Sequence, residues 1–199
     1  MTVNPRKTSR RSSAGKGAGG AARAARSAGR MAAVQALYQM DLAGADVSDV
    51  IHEFTTLRFP AEDVDEAIAG ADAAFFAELV RGVVRRQRDI DPMIDQQLAL
   101  NWRLKRVDST LRAILRAGTF ELIERQDVPY RVVINEYIDV AHAFFDDDEP
   151  KVVNGVLDRL ARRLRVAEFE QRQAARASKA TDPEPGDSTP DPSPDRANG

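Results

Sequence analysis

Three arginines near the N-terminus have a spacing that suits the binding of a polyanion. Arg23, Arg26 and Arg30 are separated by three and four residues, so a helix through them would carry all three on one side. Guanidinium groups pair bidentately with phosphates and stack on exposed bases, which are the contacts that single-stranded RNA offers. Tyr38 follows close enough to add an aromatic edge to this row. The pattern predicts RNA binding; the alternative is a solvated tail with Tyr38 in the core.

The distribution of charge along the chain agrees with this interpretation. The net charge of the 199 residues is only −2. Residues 1–30 nevertheless hold eight basic side chains and no acidic one, whereas residues 181–199 hold five acids and one arginine. Such segregation of sign indicates a polyanionic partner for the N-terminal part of the chain.

The residues that catalysis would require do not form a recognisable set. The chain has no cysteine, which excludes a disulfide framework, a thiolate zinc site and a cysteine nucleophile. The glycine-rich stretch 15–20 lacks the preceding strand and the Gly-Lys-Ser/Thr order of a phosphate loop, so we expect a flexible linker there. Glu136 has no partner base in the sequence and is interpreted as a helix-surface or capping residue. We therefore predict a binding protein rather than an enzyme, without a cofactor.

Both histidines follow an aspartate by three residues, as Asp49 with His52 and Asp139 with His142. Each pair would share a helix face and could offer two ligands to one metal ion. A di-metal helical bundle would need further inward-facing carboxylates and usually has glutamate in this spacing. We therefore expect ordinary histidines on helix surfaces and no metal site.

The apolar residues of the middle of the chain recur at helical spacing, and no run alternates for long enough to form a strand. The pattern predicts an all-α fold of about seven helices. Their apolar stripes begin at Val34, Val50, Phe76, Ile90, Val107, Val133 and Val152.

Individual residues mark details of these helices. Ser48 and Asp108 stand where N-caps are expected, and Pro92 fits only the first turn of a separate fourth helix. Gly82 indicates a close approach of two helices, and Phe144 belongs to the apolar stripe of the sixth helix.

Composition divides the chain into three parts. Residues 1–22 are expected to form a disordered basic arm, residues 23–165 a helical RNA-binding domain, and residues 166–199 a helical extension that runs into a disordered, acidic, proline-rich tail. No apolar run is long enough for a transmembrane helix or a secretory signal, so we expect a cytoplasmic protein. The composition of the N-terminus also fits an organellar transit peptide.

Four strings in the helical part resemble the NusB family of bacterial transcription antitermination factors. They occur in the family's order, with compatible gaps, within residues 23–165. They are AVQALY at 33–38, LRAGTFEL at 115–122, VPYRVVINE at 128–136 and VNGVLD at 153–158.

The resemblance implies a fold of two small helical bundles packed together. It also implies binding of the boxA segment of ribosomal RNA leader transcripts as a heterodimer with ribosomal protein S10 (NusE), within an antitermination complex on RNA polymerase. Members of the family are monomers or homodimers, so the resemblance leaves both states open.

The family's functional positions can be placed on this sequence. Its arginine-rich motif corresponds to Arg23, Arg26 and Arg30, followed on the same helix by Gln35 and Tyr38 on the side that binds RNA and S10. A second RNA-binding segment corresponds to residues 148–154. Its expected contacts are Asp148, Lys151 and Asn154, and the S10 interface is expected to include Tyr38 and an exposed Arg112.

The sequence also departs from the family pattern. Val152 stands where an aromatic residue is common, and the segment 58–72 exceeds the compact family pattern. A NusB-like domain also occurs in ribosomal RNA cytosine methyltransferases, but those enzymes need a Rossmann-like domain and a catalytic cysteine, which this sequence does not contain. A helical adaptor that binds only protein is the remaining alternative.

Overall fold

The computed structural model describes residues 14–98 and 103–181, and within these ranges it contains helices and turns but no strand. The predicted all-α fold is thereby confirmed. The seven α-helices of the described ranges are α1 (Ala14–Ala43), α2 (Val47–Glu53), α3 (Ala73–Asp95), α4 (Ser109–Glu124), α5 (Tyr130–His142), α6 (Glu149–Leu164) and α7 (Val166–Thr181). A π-helical turn, Phe54–Arg58, continues α2, and a 3₁₀ turn, Leu104–Arg106, precedes α4.

Helix α4 lies at the centre of a compact unit that ends at Leu164. It contacts α1 and α3 on one side and α5 and α6 on the other, and ten of its residues are buried. Helices α1 to α3 thus form one group and α5 with α6 another, joined through α4. Helix α7 belongs to a separate unit that begins at Arg165.

Two buried glycines allow the helices around α4 to approach closely. A Cβ atom at Gly82 of α3 would overlap the ring of Phe120 of α4. At Gly118 of α4 a Cβ atom would lie 2.8 Å from a methyl carbon of Leu157 in α6. The close helix contact predicted at Gly82 is therefore confirmed.

The helix starts are capped by aspartates, one predicted and one missed. Asp108 accepts hydrogen bonds from the backbone N–H groups of Thr110 and Leu111, as expected of the N-cap of α4. The prediction of Ser48 as the cap of α2 is wrong, because Asp46 is the cap and accepts from the Ser48 N–H at 2.7 Å. The carboxylate two residues earlier reaches that orphan donor, so the serine lies inside the first turn.

The predicted third and fourth helices are one helix in the structure. Helix α3 continues through Pro92 and ends three residues later, at Asp95. The proline removes one backbone donor, but Ile90 and Ile94 on either side of it are fully buried. Burial of both side chains outweighs the loss of a hydrogen bond near the end of the helix.

Both ends of the chain were expected to be disordered. Part of the N-terminal end is helical instead, and the rest of both predicted disordered ends lies mostly outside the described residues. Residues 1–13 and 182–199, which include most of the predicted disordered arm and tail, lie outside the described residues. Residues 14–22, including the whole of the expected flexible linker at 15–20, form the first turns of α1 instead. Four of these nine residues are glycines, which disfavour a helix, so these turns depend on propagation from the docked part of α1 rather than on local propensity.

The segment 59–72, most of the stretch that exceeds the family pattern, packs against α1 and α3. Phe59 lies edge-on to the buried rings of Phe54 and Phe76, and Ile68 is buried. At its end the N–H of Asp72 donates to the carbonyl of Ala25 at 2.9 Å. This segment therefore forms one flank of the arginine-bearing part of α1.

Candidate nucleic-acid interface

The three arginines of α1 have very different environments, although they occupy one side of the helix. The side chain of Arg23 is 74% exposed, Arg26 is half-buried, and Arg30 is only 3% exposed. Arg30, which was expected to bind RNA in one row with Arg23 and Arg26, is buried instead. Its guanidinium points into the interface of α1 with α4 and α5, where it has two carboxylate partners.

Arg30 is the centre of a buried polar network. Its Nε donates to Glu121 Oε2 at 2.9 Å, and its Nη1 donates to Glu136 Oε2 at 3.1 Å. The hydroxyl of Tyr137 donates to Glu121 Oε2 at 3.1 Å. Burial would by itself lower the pKa of Arg30, but the hydrogen bonds and charge of Glu121 outweigh it, and the pKa is raised. Burial also raises the pKa of Tyr137 well above its usual value, so the phenol remains a neutral donor.

Glu136 links this network to the surface. The interpretation of Glu136 as a helix-surface or capping residue is wrong, because it is 5% exposed and paired with Arg30. Its Oε1 accepts from Nε and Nη2 of Arg23, both at 3.4 Å, and its Oε2 accepts from the hydroxyl of Ser27 at 2.5 Å. Glu136 thus holds one edge of the exposed Arg23 guanidinium.

Carboxylates flank the arginines of α1 on both sides of the helix. Arg23 borders a groove of about 420 Å³ that also contains Glu66, Glu136 and Asp139. Arg26 borders another groove of about 520 Å³ on the side of α3. That groove is lined by Asp72, Glu78, Phe75 and Arg125, among others. At Arg23 and Arg26, carboxylates therefore border the cationic surface of α1 on both sides.

Gln35 and Tyr38 lie further along α1, at a groove of about 500 Å³. The ring of Tyr38 is 39% exposed there and faces the same groove as Phe144, which is 41% exposed. The assignment of Phe144 to the apolar stripe of a helix is wrong, because α5 ends at His142 and Phe144 lies in the turn that follows it.

The second predicted segment forms the start of α6. The carbonyl of Asp148 accepts from the N–H groups of Lys151 and Val152, and the Lys151 Nζ donates to Asp148 Oδ1 at 2.7 Å. Both side chains are more than 80% exposed, and Asn154 is exposed one turn further on. The hydrogen bond from Lys151 lowers the pKa of Asp148. The three predicted side chains are thus accessible on one short segment.

The guanidinium of Arg112 is not exposed, because it makes hydrogen bonds to groups of the same chain. Its Nε donates to Asp41 Oδ2 at 2.7 Å, and its Nη1 donates to the carbonyls of Leu104 and Val107 at 3.1 and 2.9 Å. Its Nη2 donates to the Ser109 hydroxyl at 3.1 Å. The expectation of an exposed Arg112 is wrong, because it ties the end of α1 to the chain entering α4.

The histidines do not belong to a cluster of metal ligands in the described ranges. His52 and His142 are both exposed, on α2 and at the end of α5. No group of three or more His, Asp or Glu side chains within residues 14–98 and 103–181 is arranged to hold a metal ion. Among the same residues, no helix is both long and apolar enough to cross a membrane.

The family model and the known proteins similar to this chain indicate the same family. The NusB family model matches residues 27–162. A transcription antitermination protein NusB from Allorhizobium ampelinum is 58% identical over 137 residues, which are 69% of this chain and 86% of the relative. Its namesake from Rhodopseudomonas palustris is 52% identical over 142 residues, or 71% of this chain and 82% of the relative.

Two solved structures show the same fold. T. maritima NusB has a TM-score of 0.61 at 28% identity and covers 73% of this chain and 96% of its own. A structure of antitermination factors NusB and NusE in complex with dsRNA has a TM-score of 0.58 at 26% identity, covering 70% and 97%. Because the family model spans more than half of the chain and the relatives exceed 50% identity over most of their length, the chain belongs to the NusB family.

Proposed function

We propose that this NusB-family protein is a cytoplasmic transcription antitermination factor. It binds the boxA segment of ribosomal RNA leader transcripts together with ribosomal protein S10 (NusE) and promotes processive transcription by RNA polymerase. The observation that carries the proposal is 58% identity, over most of the domain, to a transcription antitermination protein. The accessible Arg23, Gln35 and Tyr38 on one helix supply groups that an RNA ligand requires.

The first RNA contact is the outer face of α1. Arg23 holds Glu136 through one edge only and through long bonds of 3.4 Å, so its remaining N–H donors can pair with a phosphate. Arg26 adds a second cation one turn later. Arg30 does not contact RNA in this proposal. It anchors α1 to α4 and α5, so that Arg23 and Arg26 project from a rigid support.

The second RNA contact is the start of α6. Lys151 supplies an exposed positive charge there, while its backbone N–H and that of Val152 already donate to the carbonyl of Asp148. Asp148 orients the Lys151 ammonium group, and Asn154 offers an amide one turn away. Val152 provides no aromatic ring at this segment, so the contact depends on charge and hydrogen bonding.

We place S10 beside Tyr38, at the end of α1. Arg112 contributes indirectly, because its bond to Asp41 fixes the orientation of the last turn of α1. The exposed apolar side chains of Tyr38 and Leu42 also suit an adaptor that binds protein alone. That alternative differs from the main proposal in requiring no RNA.

The test is a titration of the full chain with boxA RNA, with and without S10, and with a scrambled RNA of equal length. We expect weak, salt-dependent binding of both RNAs by the chain alone. S10 should raise boxA affinity about 5–150-fold and leave the scrambled RNA less affected. If S10 binds but boxA affinity does not change, the adaptor function replaces the one proposed.

A further inference from the structure

The outer face of α3 carries three arginines that the function proposed above does not use. Arg81, Arg85 and Arg88 follow one another at spacings of four and three residues, so their side chains lie on one face of the helix. All three are exposed. At a rise of about 1.5 Å per residue, the set is about 10 Å long. These three arginines are called the α3 row below.

The α3 row has no counter-ion within the described part of the chain. None of its guanidinium groups forms a hydrogen bond or an ion pair with another residue of the ranges 14–98 and 103–181. The carboxylates that precede and follow the row on α3 have other partners, since Glu78 pairs with Arg125 and Asp89 pairs with Arg86. Arg86 also bonds to Glu124 of α4. The positive charge of the row is therefore uncompensated.

A helix face that serves only for solubility does not require this arrangement. Like charges three or four residues apart on a helix repel each other and destabilise it. Surfaces of soluble proteins usually intersperse both signs. On α6, for example, Arg162 pairs with Asp158, and Arg159 donates to the carbonyl of Gln97 at 2.7 Å. The α3 row lacks such partners, and an anionic ligand would supply them.

The α3 row begins where a groove beside the arginines of α1 ends. Arg26 lines that groove together with Glu78 of α3. Glu78 precedes Arg81 by three residues, so it lies on the same side of the helix as the row, and its carboxylate is paired with Arg125 at 3.1 Å. An RNA strand that leaves Arg26 across this groove therefore meets Arg81 first and Arg88 about 10 Å further along.

The composition of this face favours the backbone of a nucleic acid over a protein partner. The centre of a protein interface is rich in aromatic residues and poor in charge. The two aromatic residues of α3, Phe75 and Phe76, are both buried, and Val84 is its only exposed large apolar side chain. Without an exposed ring the row cannot stack on bases, but guanidinium groups pair bidentately with phosphate oxygens.

We propose that the α3 row binds phosphates of the RNA that flanks boxA, without reading its sequence. The proposal rests on the RNA-binding function proposed above and adds a second surface to it, on a different helix from the boxA contacts. Each guanidinium of the row pairs with one phosphate. A longer transcript is therefore bound more tightly than boxA alone.

The test is a titration of the full chain with two RNAs in the presence of S10. One RNA is boxA alone, and the other carries flanks of about ten uridines on each side, a length typical of single-stranded binding sites. The flanks should raise the affinity of the wild-type chain about ten-fold at low salt. They should also steepen the salt dependence by about 2 units, from about 0.7 for each of three phosphates. Equal affinity for the two RNAs overturns the proposal.

A triple variant assigns this gain to the row. Arg81→Gln, Arg85→Gln and Arg88→Gln together should bind boxA alone as the wild type does. With the flanked RNA, most of the ten-fold gain should be lost, and the salt slope should fall by about 2 units. Because the three side chains are exposed and unpaired, circular dichroism should show an unchanged or slightly raised melting temperature. A folded triple variant that keeps the whole gain contradicts the proposal.

The matched control removes the same charge from another helix. It replaces three exposed arginines of α6, Arg159, Arg162 and Arg163, by glutamine. This control should keep the gain from the flanks, because its arginines are outside the proposed path. Equal losses in the two triple variants would show attraction by net charge and would overturn the assignment to α3.

Chemically altered flanks distinguish phosphate contacts from base contacts. Abasic flanks keep every phosphate, so the wild-type chain should bind them with the full gain. Methylphosphonate flanks carry no charge and should bring no gain. The opposite pattern, in which the gain needs bases and not charge, is incompatible with the proposal.

Two further results separate the row from the general function. If the triple variant of α3 binds S10 more weakly in the absence of RNA, the row binds protein and the proposal is overturned. If the wild-type chain with S10 does not distinguish boxA from scrambled RNA, the proposed function itself fails. If it does, but flanks add no affinity, only the assignment of the α3 row fails.

Discussion

The ion pair at Arg30 and the ion pair at Lys151 join the same kinds of chemical group in opposite surroundings. The side chains of Arg30 and Glu121 are 4% and 0% exposed, whereas those of Lys151 and Asp148 are 82% and 81% exposed. Breaking a buried pair leaves an uncompensated charge inside the protein, whereas a surface pair exchanges readily with water and ions. Basic residues of this RNA-binding protein therefore fall into two groups. Buried ones such as Arg30 hold the helices together, and exposed ones such as Lys151 can contact a ligand.

The buried pair should give the largest effect. Arg30→Ala leaves Glu121 and Glu136 without their shared cation, so we expect the free energy of unfolding to fall by about 3–5 kcal/mol. Urea denaturation followed by circular dichroism measures this change. Arg23→Ala, on the same helix, is the control and should unfold close to the wild-type midpoint. Equal midpoints for the two variants would show that the buried network is absent in solution.

The phenol of the same network should make the protein sensitive to alkali. Below pH ~10, Tyr137 is protonated in both the folded and the unfolded chain and adds no pH dependence. Above that pH the unfolded chain releases the proton first, because the folded-state pKa is raised, so stability falls as pH rises. The loss should be about 1.4 kcal/mol per pH unit.

Tyr137→Phe isolates this contribution. The variant should be less stable than wild type at pH 8, since Glu121 loses a donor, and the difference should narrow between pH 10 and pH 11. Parallel stability curves for the two proteins over that range would mean that Tyr137 ionises as easily in the folded state as in the unfolded state.

The exposed arginines should affect RNA binding rather than stability. Replacing Arg23 and Arg26 together by alanine should weaken boxA binding about ten-fold at low salt. The salt slope should fall by about 1.4 units if each contacts one phosphate. Filter binding over a range of potassium concentrations measures both quantities, and melting should remain close to wild type. A variant that binds RNA with wild-type affinity and slope would remove α1 from the interface.

The exposed lysine should give the smallest effect. Lys151→Glu should weaken boxA binding about three-fold at low salt, because it reverses one charge at the start of α6. Lys105→Glu reverses a charge of the same kind on the 3₁₀ turn and serves as the control. Neither change should alter the melting temperature measurably. Similar losses of affinity for the two would indicate attraction by overall charge rather than a contact at Lys151.

The sequence by itself determined most helices of this protein, although it divided α3 into two and left residues 14–22 out of α1. Apolar side chains at helical spacing predicted helices because one face of each must be buried. Asp108 marked the start of α4, and Gly82 marked a close helix contact, because each residue type has a local geometric role. The family strings then identified the NusB fold, and from the resemblance the segments around Tyr38 and Lys151 are expected to bind RNA.

Tertiary structure decided which of those residues face the solvent. Arg23 and Arg30 are two turns apart on one face of α1, and nothing local distinguishes them. Their difference comes from Glu121 and Glu136, which lie 91 and 106 residues beyond Arg30 in the chain and meet it only after α4 and α5 have packed. Likewise, Tyr38 of α1 and Phe144 after α5 line one groove only because the helices that carry them pack together. Local pattern fixes helices because it depends on neighbours in sequence, whereas burial of a charge depends on partners supplied by the whole fold.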